Sequence, residues 1–368
     1  AKGLQKILDD FTKETGIKAE TGVVKWDEYW TMLDAGARGG TLPDVFWMHS
    51  NEAERYMTNG LLLDLTDKIE SSDRIDLANY PEDIVKLYNN DNKQYAVPKD
   101  VDTIALWYNR KMFDEAGVEY PTAEWTWNDV LFGSQYGLAM RNDNNQAGYY
   151  NMIYDNGGYI ISEDKKKSGW DDPKTIQAME MLESWIQAGV MPTLETMSEN
   201  GEDVLFQSGK IAMTFQGSWM LAYFKENEYT AENCDCVELP MNAETGKRMS
   251  VYNGLGWAAA ANGEHTEDAW KLIEYLGSKE AQIKQAELGI TMSAYKDTSD
   301  AWANSADFNL KAYLNMMDDM VIRPYSKTTV TWENKANEIL KEVYAKDKSM
   351  ADACREIAEF MDQSLAEE

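Results

Sequence analysis

Residues whose types suit binding chemistry lie at and just after the end of a short segment, Pro43–Met48, which the sequence pattern predicts to be a strand. Trp47, His49 and Asn51 lie at its carboxyl end. An indole ring offers a flat apolar face, and the imidazole and amide beside it suit hydrogen bonds to ligand hydroxyl groups. The alternative is a loop that only caps a helix predicted at residues 52–58.

A second candidate is Asp102, which ends the polar turn Lys99–Asp102. The β-branched and aromatic run Ile104–Trp107 follows this turn and is typical of a buried strand. A carboxylate accepts two hydroxyl hydrogen bonds that are stronger than those between neutral groups. The pattern therefore favours a ligand-facing turn beside a crossing between two units, and the alternative is a carboxylate that only forms the turn.

Two later segments supply further candidates. Asn253 and Gly254 lie in Tyr252-Asn-Gly-Leu-Gly-Trp257, where glycine permits close approach of the backbone to a ligand or to an opposing strand. Arg323 and Tyr325 lie in a loop before Trp332. We expect Arg323 to bind hydroxyl groups or to pair with Asp102, and the alternative is an ordinary surface salt bridge.

The sequence argues against metal and covalent chemistry. Cys234-Asp-Cys236 and Cys354 do not have the spacing of metal ligands, and we expect ordinary thiols or one incidental disulfide. The two histidines, His49 and His265, lie in no zinc or catalytic motif. The stretch Asp143–Tyr154 lacks the acid that closes a calcium loop. No cofactor and no metal are therefore predicted.

Length and composition narrow the class of protein. At 368 residues the chain exceeds a single hydrophobic core, so two units are expected. A net charge of −29 opposes binding to nucleic acid, and no apolar run reaches the roughly 18 to 20 residues of a membrane span. The 13 Trp and 20 Tyr residues suit surfaces that are partly apolar and partly wet, such as sugar-binding sites, although most rings are expected to pack in cores.

The hydrophobic pattern predicts an α/β fold. A helix over residues 2–15, a strand over 17–24, a helix that begins at Trp26 and the strand within 43–48 alternate, which favours a mostly parallel sheet covered by helices. Further along, Asp172 and Ser349 are expected to be N-caps of helices. We also expect a strand lost before residue 1, and residues missing near 130–133, where a helix begun at Trp125 is cut short.

Several segments occur together in a familiar order. They are Pro43–Met48, Asn59–Leu65, Tyr95–Pro98 with Asp102–Asn109, Gly209–Thr214 with Gly217–Trp219, and Ala269–Leu276. In this order the chain resembles the family 1 extracellular solute-binding proteins of ABC importers, relatives of the maltose-binding protein. The resemblance implies a two-lobe periplasmic-binding-protein-like fold of type II, with a hinge and an interlobe cleft. The implied lobes are residues 1–105 with 257–300, and residues 106–256 with 301–368.

The resemblance also implies further binding residues and a function. It points to Tyr149, Tyr150, Asn151 and Tyr159 as cleft residues and to Trp219 as a stacking aromatic. It implies a monomeric, noncatalytic receptor that binds a carbohydrate, expected to be an oligosaccharide, and delivers it to ABC permease subunits. The implied location is extracellular, tethered to a Gram-positive cell surface by a lipid anchor absent from this chain, or periplasmic.

Two rival functions remain. A site of carboxylates and aromatic rings would also suit a cationic solute such as a polyamine. A glycoside hydrolase would need two carboxylates about 5 to 10 Å apart across a sugar bond. The chain lacks the eight strand–helix units of a barrel enzyme, which argues against the hydrolase.

Overall fold

The computed structural model describes residues 2–130 and 136–368 and divides the chain into two compact units. The first unit comprises residues up to Asp102 together with Asn253–Ser305. The second unit comprises Thr103–Tyr252 and Ala306–Glu368. The lobe bounds implied by the resemblance lie near 105, 256 and 300, a few residues from these divisions.

The helices and strands have the following bounds. The α-helices are α1 (Lys2–Thr15), α2 (Trp26–Gly39), α3 (Ser50–Thr58), α4 (Thr66–Glu70), α5 (Glu82–Leu87), α6 (Arg110–Ala116), α7 (Tyr150–Asp155), α8 (Pro173–Ala188), α9 (Leu194–Asn200), α10 (Glu202–Gln207), α11 (Leu221–Glu226), α12 (Glu228–Asn233), α13 (Thr266–Gly277), α14 (Lys279–Glu287), α15 (Ser299–Ala303), α16 (Lys311–Asn315), α17 (Thr329–Tyr344) and α18 (Met350–Ala366). The strands are β1 (Val45–Met48), β2 (Asn89–Asn90), β3 (Lys93–Gln94), β4 (Ala96–Pro98), β5 (Ile104–Asn109), β6 (Leu138–Ala139), β7 (Met213–Gly217), β8 (Cys234–Val237), β9 (Ser250–Tyr252), β10 (Gly256–Ala259) and β11 (Met320–Ile322).

The sheet of the first unit has the order β1-β10-β4, and β10 runs antiparallel to both neighbours. β1 and β4 therefore run in the same direction, as the alternation of strands and helices predicts. The central strand, β10, begins shortly after the chain returns to the first unit at Asn253, and it runs in the opposite direction to β1 and β4. The prediction of a mostly parallel sheet is wrong for this reason.

The sheet of the second unit has the order β6-β7-β5-β8. β5 pairs antiparallel with β7 and β8, whereas β6 and β7 are parallel. Every residue of β5 is buried, and this strand follows the division after Asp102 directly. β10 in the first unit and β5 in the second are thus each the first strand after the chain crosses from the other unit. Each runs antiparallel to both of its neighbours in the sheet.

Local patterns predict the helices well and one strand poorly. The helix over residues 2–15 and the N-caps at Asp172 and Ser349 are confirmed. The strand predicted over residues 17–24 is wrong: these residues form no strand, and Val23 is 71% exposed. A strand is stabilised by pairing with a neighbour rather than by its own sequence, so alternation alone does not create one. The helix expected at Trp125 is a short 3-10 turn, Trp127–Val130, and the residues predicted to be missing after it fall in 131–135, outside the described residues.

Each unit has its own hydrophobic core. In the first unit, Ile7 and Phe11 of α1 pack with Ile273 of α13 and with Trp257 of β10. In the second unit, the core includes residues from α8, α17 and α18, among them the fully buried Trp185 and Trp332. Among the described residues, no helix has the length and apolar character that crossing a membrane requires.

The three cysteines are free thiols in the core of the second unit. Burial raises the pKa of the Cys234 and Cys354 thiols to about 12 and raises the pKa of the Cys236 thiol well above its ordinary value. The thiolate is the reactive form, so we expect no labelling of the native protein by a thiol reagent at about pH 8. All three thiols should react after denaturation. Labelling of the native protein within minutes would contradict this burial.

Candidate functional site

An aromatic patch lies on the first unit and consists of Trp26, Tyr29, Trp30, Trp47 and His49. The first three belong to α2 at positions i, i+3 and i+4, which places them on one face of the helix. Trp26 and Tyr29 stack in parallel, with ring centroids 5.9 Å apart and an interplanar angle of 3°. Trp30 meets Trp26 edge-on at 5.5 Å. Trp26 remains 46% exposed, so the patch offers an indole to solvent.

Trp47 joins the patch from the end of β1. The Tyr29 hydroxyl donates to the backbone carbonyl of Trp47 at 2.9 Å, and the two ring centroids are 6.3 Å apart. Burial raises the pKa of Tyr29 well above its ordinary value, which keeps this hydroxyl a neutral donor. The hydrogen bond therefore fixes α2 against the strand that carries Trp47.

His49 both caps a helix and belongs to the patch. Its Nδ1 accepts a hydrogen bond from the backbone N–H of Asn51 at 3.1 Å, at the start of α3. Its ring lies 5.7 Å from Trp26 and 6.4 Å from Trp30, in both cases edge-on. The capping alternative considered from the sequence is thus present, and it places the imidazole against the exposed indole of Trp26 and the half-buried indole of Trp30.

A polar network lies beside the patch. The side-chain amide of Asn253 lies 3.0 Å from His49 Nε2 and 3.1 Å from the Ser50 hydroxyl. The Asp102 carboxylate accepts the backbone N–H of Asn253 at 2.9 Å, and the Asp102 N–H donates to the Asn253 carbonyl at 2.9 Å. Asn253 is only 1% exposed, so it connects Asp102 to His49 rather than presenting itself to solvent.

Gly254 is explained by backbone packing. A Cβ at this position would collide with the backbone carbonyl oxygen of Asp100. The Gly254 carbonyl also accepts a hydrogen bond from the buried Tyr88 hydroxyl. Of the two explanations for this glycine, the structure supports close approach of an opposing backbone segment.

Three of the residues implied by the resemblance lie in the core of the second unit. Tyr149 and Tyr150 are each 1% exposed and Asn151 is fully buried. The Asn151 amide donates to the carbonyls of Gln146 and Gly148 and accepts the Val251 N–H at 2.7 Å. The helical segment that carries them turns this face inward within the second unit. Their role as cleft residues, which the resemblance implies, stays a prediction.

The remaining aromatic candidates of the second unit are half-buried. The Tyr159 ring packs against Gly169, and the Trp219 ring packs against Gly217; a Cβ at either glycine would collide with the ring. Tyr325 has the Lys165 ammonium 3.3 Å from its ring centroid. Each ring keeps part of its surface accessible.

Arg323 forms a buried ion pair in place of the exposed contacts expected. It is 4% exposed, and its guanidinium donates to both oxygens of Glu333, at 2.7 and 2.9 Å. The Tyr150 hydroxyl donates to the same carboxylate at 3.1 Å. The alternative of a surface salt bridge at Arg323 is therefore wrong, because this ion pair is buried. Hydroxyl binding by Arg323 stays a prediction.

Sequence reasoning missed Trp26, Tyr29 and Trp30 as members of a site. Their i, i+3, i+4 spacing was a usable signal, because three large rings on one face of a helix either pack in a core or form an exposed platform. Trp257 was also missed, although it lies directly opposite Trp47 in the register of β1 and β10.

Comparison with known proteins identifies relatives among bacterial solute-binding proteins. A family model described as bacterial extracellular solute-binding protein matches residues 1–283. The maltodextrin-binding protein of Bacillus subtilis is 23% identical over 342 residues, which cover 89% of this chain and 77% of that protein. The galactooligosaccharide-binding protein of the same organism is 26% identical over 294 residues, which cover 76% of this chain and 66% of that protein.

Among solved structures, an ABC substrate-binding protein from Listeria monocytogenes in complex with cycloalternan superposes with a TM-score of 0.91 at 23% identity. The match covers 100% of this chain and 96% of that one. At this identity the likeness establishes the fold alone, which is the two-lobe α/β fold of type II periplasmic binding proteins.

Proposed function

The chain belongs to the bacterial extracellular solute-binding proteins, which are noncatalytic, and from this premise we propose that it is a receptor for a carbohydrate. The ligand is an oligosaccharide, which the receptor delivers to the permease of an ABC importer. The observation that carries the proposal is the aromatic patch of the first unit, with an exposed indole and a polar network beside it.

Sugar rings and aromatic rings are complementary. One face of a pyranose ring carries C–H groups, which pack on an indole and exclude water, while its hydroxyl groups need hydrogen-bond partners at the edge. Trp26 and Trp47 supply ring surface, and His49, Asn51 and Asp102 supply polar atoms next to it. We assign these five residues as ligand contacts of the first unit.

The second unit contributes a smaller set to the proposal. Tyr159, Trp219 and Tyr325 are half-buried and keep ring surface accessible, so they stay candidate contacts. The buried Tyr149, Tyr150 and Asn151 position the segment around them instead.

The relatives support an oligosaccharide in particular. Proteins similar to this chain are described as binding maltodextrin and galactooligosaccharide, and the Listeria protein was solved with cycloalternan. We further propose that the receptor acts as a monomer outside the cytoplasm, held at the cell surface by a lipid anchor or free in a periplasm.

Thermal unfolding against a panel of ligands tests this function. The panel holds maltotriose, a galactooligosaccharide, diacetylchitobiose and cycloalternan, with spermidine and amino acids as controls. A ligand at about 100 times its dissociation constant stabilises the native state by about 2.7 kcal/mol. We expect a raised midpoint with one class of oligosaccharide.

The outcomes separate the rival functions. A shift with spermidine alone would replace the carbohydrate by a cationic solute, and no shift with any sugar would refute the proposal. Chromatography of the incubated sugar distinguishes a receptor, which returns it intact, from a glycoside hydrolase, which returns shorter products.

A further inference from the structure

Lys99 is a buried lysine whose ammonium faces two indole rings of the first unit. Its Nζ lies 4.8 Å from the ring centroid of Trp47 and 6.0 Å from that of Trp257. The Lys99 side chain is 3% exposed and forms an ion pair with the Asp100 carboxylate, itself 7% exposed. Removing an ammonium group from water is costly, so a buried lysine needs both a counter-ion and favourable surroundings.

The backbone of Lys99 and its counter-ion Asp100 are both hydrogen-bonded to neighbouring segments. The other carboxylate oxygen of Asp100 accepts the Leu255 N–H at 2.7 Å. The Lys99 backbone donates to the Leu255 carbonyl at 2.8 Å and accepts from the Gln285 amide at 3.0 Å. The Lys99 backbone and the counter-ion of its ammonium are thus both anchored by hydrogen bonds, and the ammonium lies against the Trp47 indole.

The cation also changes what the indole can bind. Each face of an aromatic ring is electron-rich and attracts a cation. Because the Lys99 ammonium already interacts with the Trp47 ring, a second cation gains less from the same ring. An uncharged sugar ring needs only a flat apolar surface, so it loses nothing.

From this geometry we propose that Lys99 is a positioning and specificity-determining residue of the site. It holds the Trp47 ring in position for stacking, and it makes that ring bind uncharged solutes in preference to cationic ones. This inference rests on the proposed function, because it takes Trp47 to be a ligand contact.

The test uses the double variant K99M/D100N, which removes the cation and its counter-ion together and leaves no unpaired buried charge. Lys279→Met is the matched control, because Lys279 lies 6.0 Å from the Tyr295 ring of the same unit but is exposed. Thermal unfolding first verifies that each variant folds. Calorimetric titrations then use maltotriose, or the panel sugar that wild type binds instead, and spermidine.

We expect K99M/D100N to lower the ratio of sugar affinity to spermidine affinity by about 10-fold, and K279M to change it by less than about 2-fold. An unchanged ratio in the double variant would overturn the role in specificity.

A second measurement needs no ligand and so separates this inference from the proposed function. The near-ultraviolet circular dichroism of K99M/D100N should differ from that of wild type, because the Trp47 indole is no longer held. In a W47F background the same double substitution should cause less than about half of that change. An equal change in both backgrounds would show that Lys99 does not position Trp47, whether or not the protein binds sugar.

Discussion

Replacing Arg323 by methionine is expected to lower the free energy of unfolding by about 3 to 5 kcal/mol, because the buried Glu333 carboxylate then loses the cation that compensates its desolvation. The two side chains are 5% and 8% exposed, and the guanidinium engages both carboxylate oxygens. For a unit of this size the melting midpoint should fall by roughly 6 to 20 °C. Calorimetry or circular dichroism measures this directly.

Two further variants show whether the loss comes from the unpaired charge. Arg323→Met combined with Glu333→Gln removes both charges and keeps an acceptor for the Tyr150 hydroxyl, so most of the lost stability should return. Arg355→Met removes a cation from an exposed pair with Asp352, whose side chains are 61% and 68% exposed. That control should cost less than about 1 kcal/mol. A loss equally small for R323M would show that the buried pair does not form.

The sequence predicts local structure where the signal is local. Helix α8 has Asp172 as its N-cap, Pro173 in its first turn and Gly189 in the left-handed conformation at its end, each readable from its neighbours. The direction of a strand within a sheet is not local. β10 lies between β1 and β4, which precede it by more than 150 residues in the chain, and no pattern within β10 shows which way it runs.

The candidate site likewise has residues whose surroundings the local sequence indicates and residues whose surroundings it does not. His49, which follows β1, and Asp102, in the turn before β5, come together with Asn253 in the first unit. Whether a side chain points outward or into the core depends instead on what packs against the segment that carries it. Tyr150 and Arg323 are therefore predicted to bind ligand because of their residue types. In the structure both bond to Glu333, a buried acid that the sequence analysis did not identify.

The largest effect on binding is expected from Trp47→Ala. Trp47 contacts Tyr29, Trp257 and the Lys99 ammonium, so its indole is held rigidly and loses little entropy when a sugar ring stacks on it. Tryptophan anchors of this kind contribute about 2 kcal/mol or more to binding, which corresponds to a loss of affinity of at least about 30-fold. Titration calorimetry with the panel oligosaccharide that wild type binds measures the loss.

Two comparisons separate stacking from a general loss of structure. Trp47→Phe keeps an aromatic face with less area, so its affinity should lie between those of wild type and W47A. Tyr223→Ala removes a ring that is 64% exposed on the second unit, and it should leave affinity unchanged. If W47A folds and binds the sugar as tightly as wild type, the aromatic patch is not the carbohydrate site, and the ligand contacts must be sought at Trp219 and Tyr159 instead.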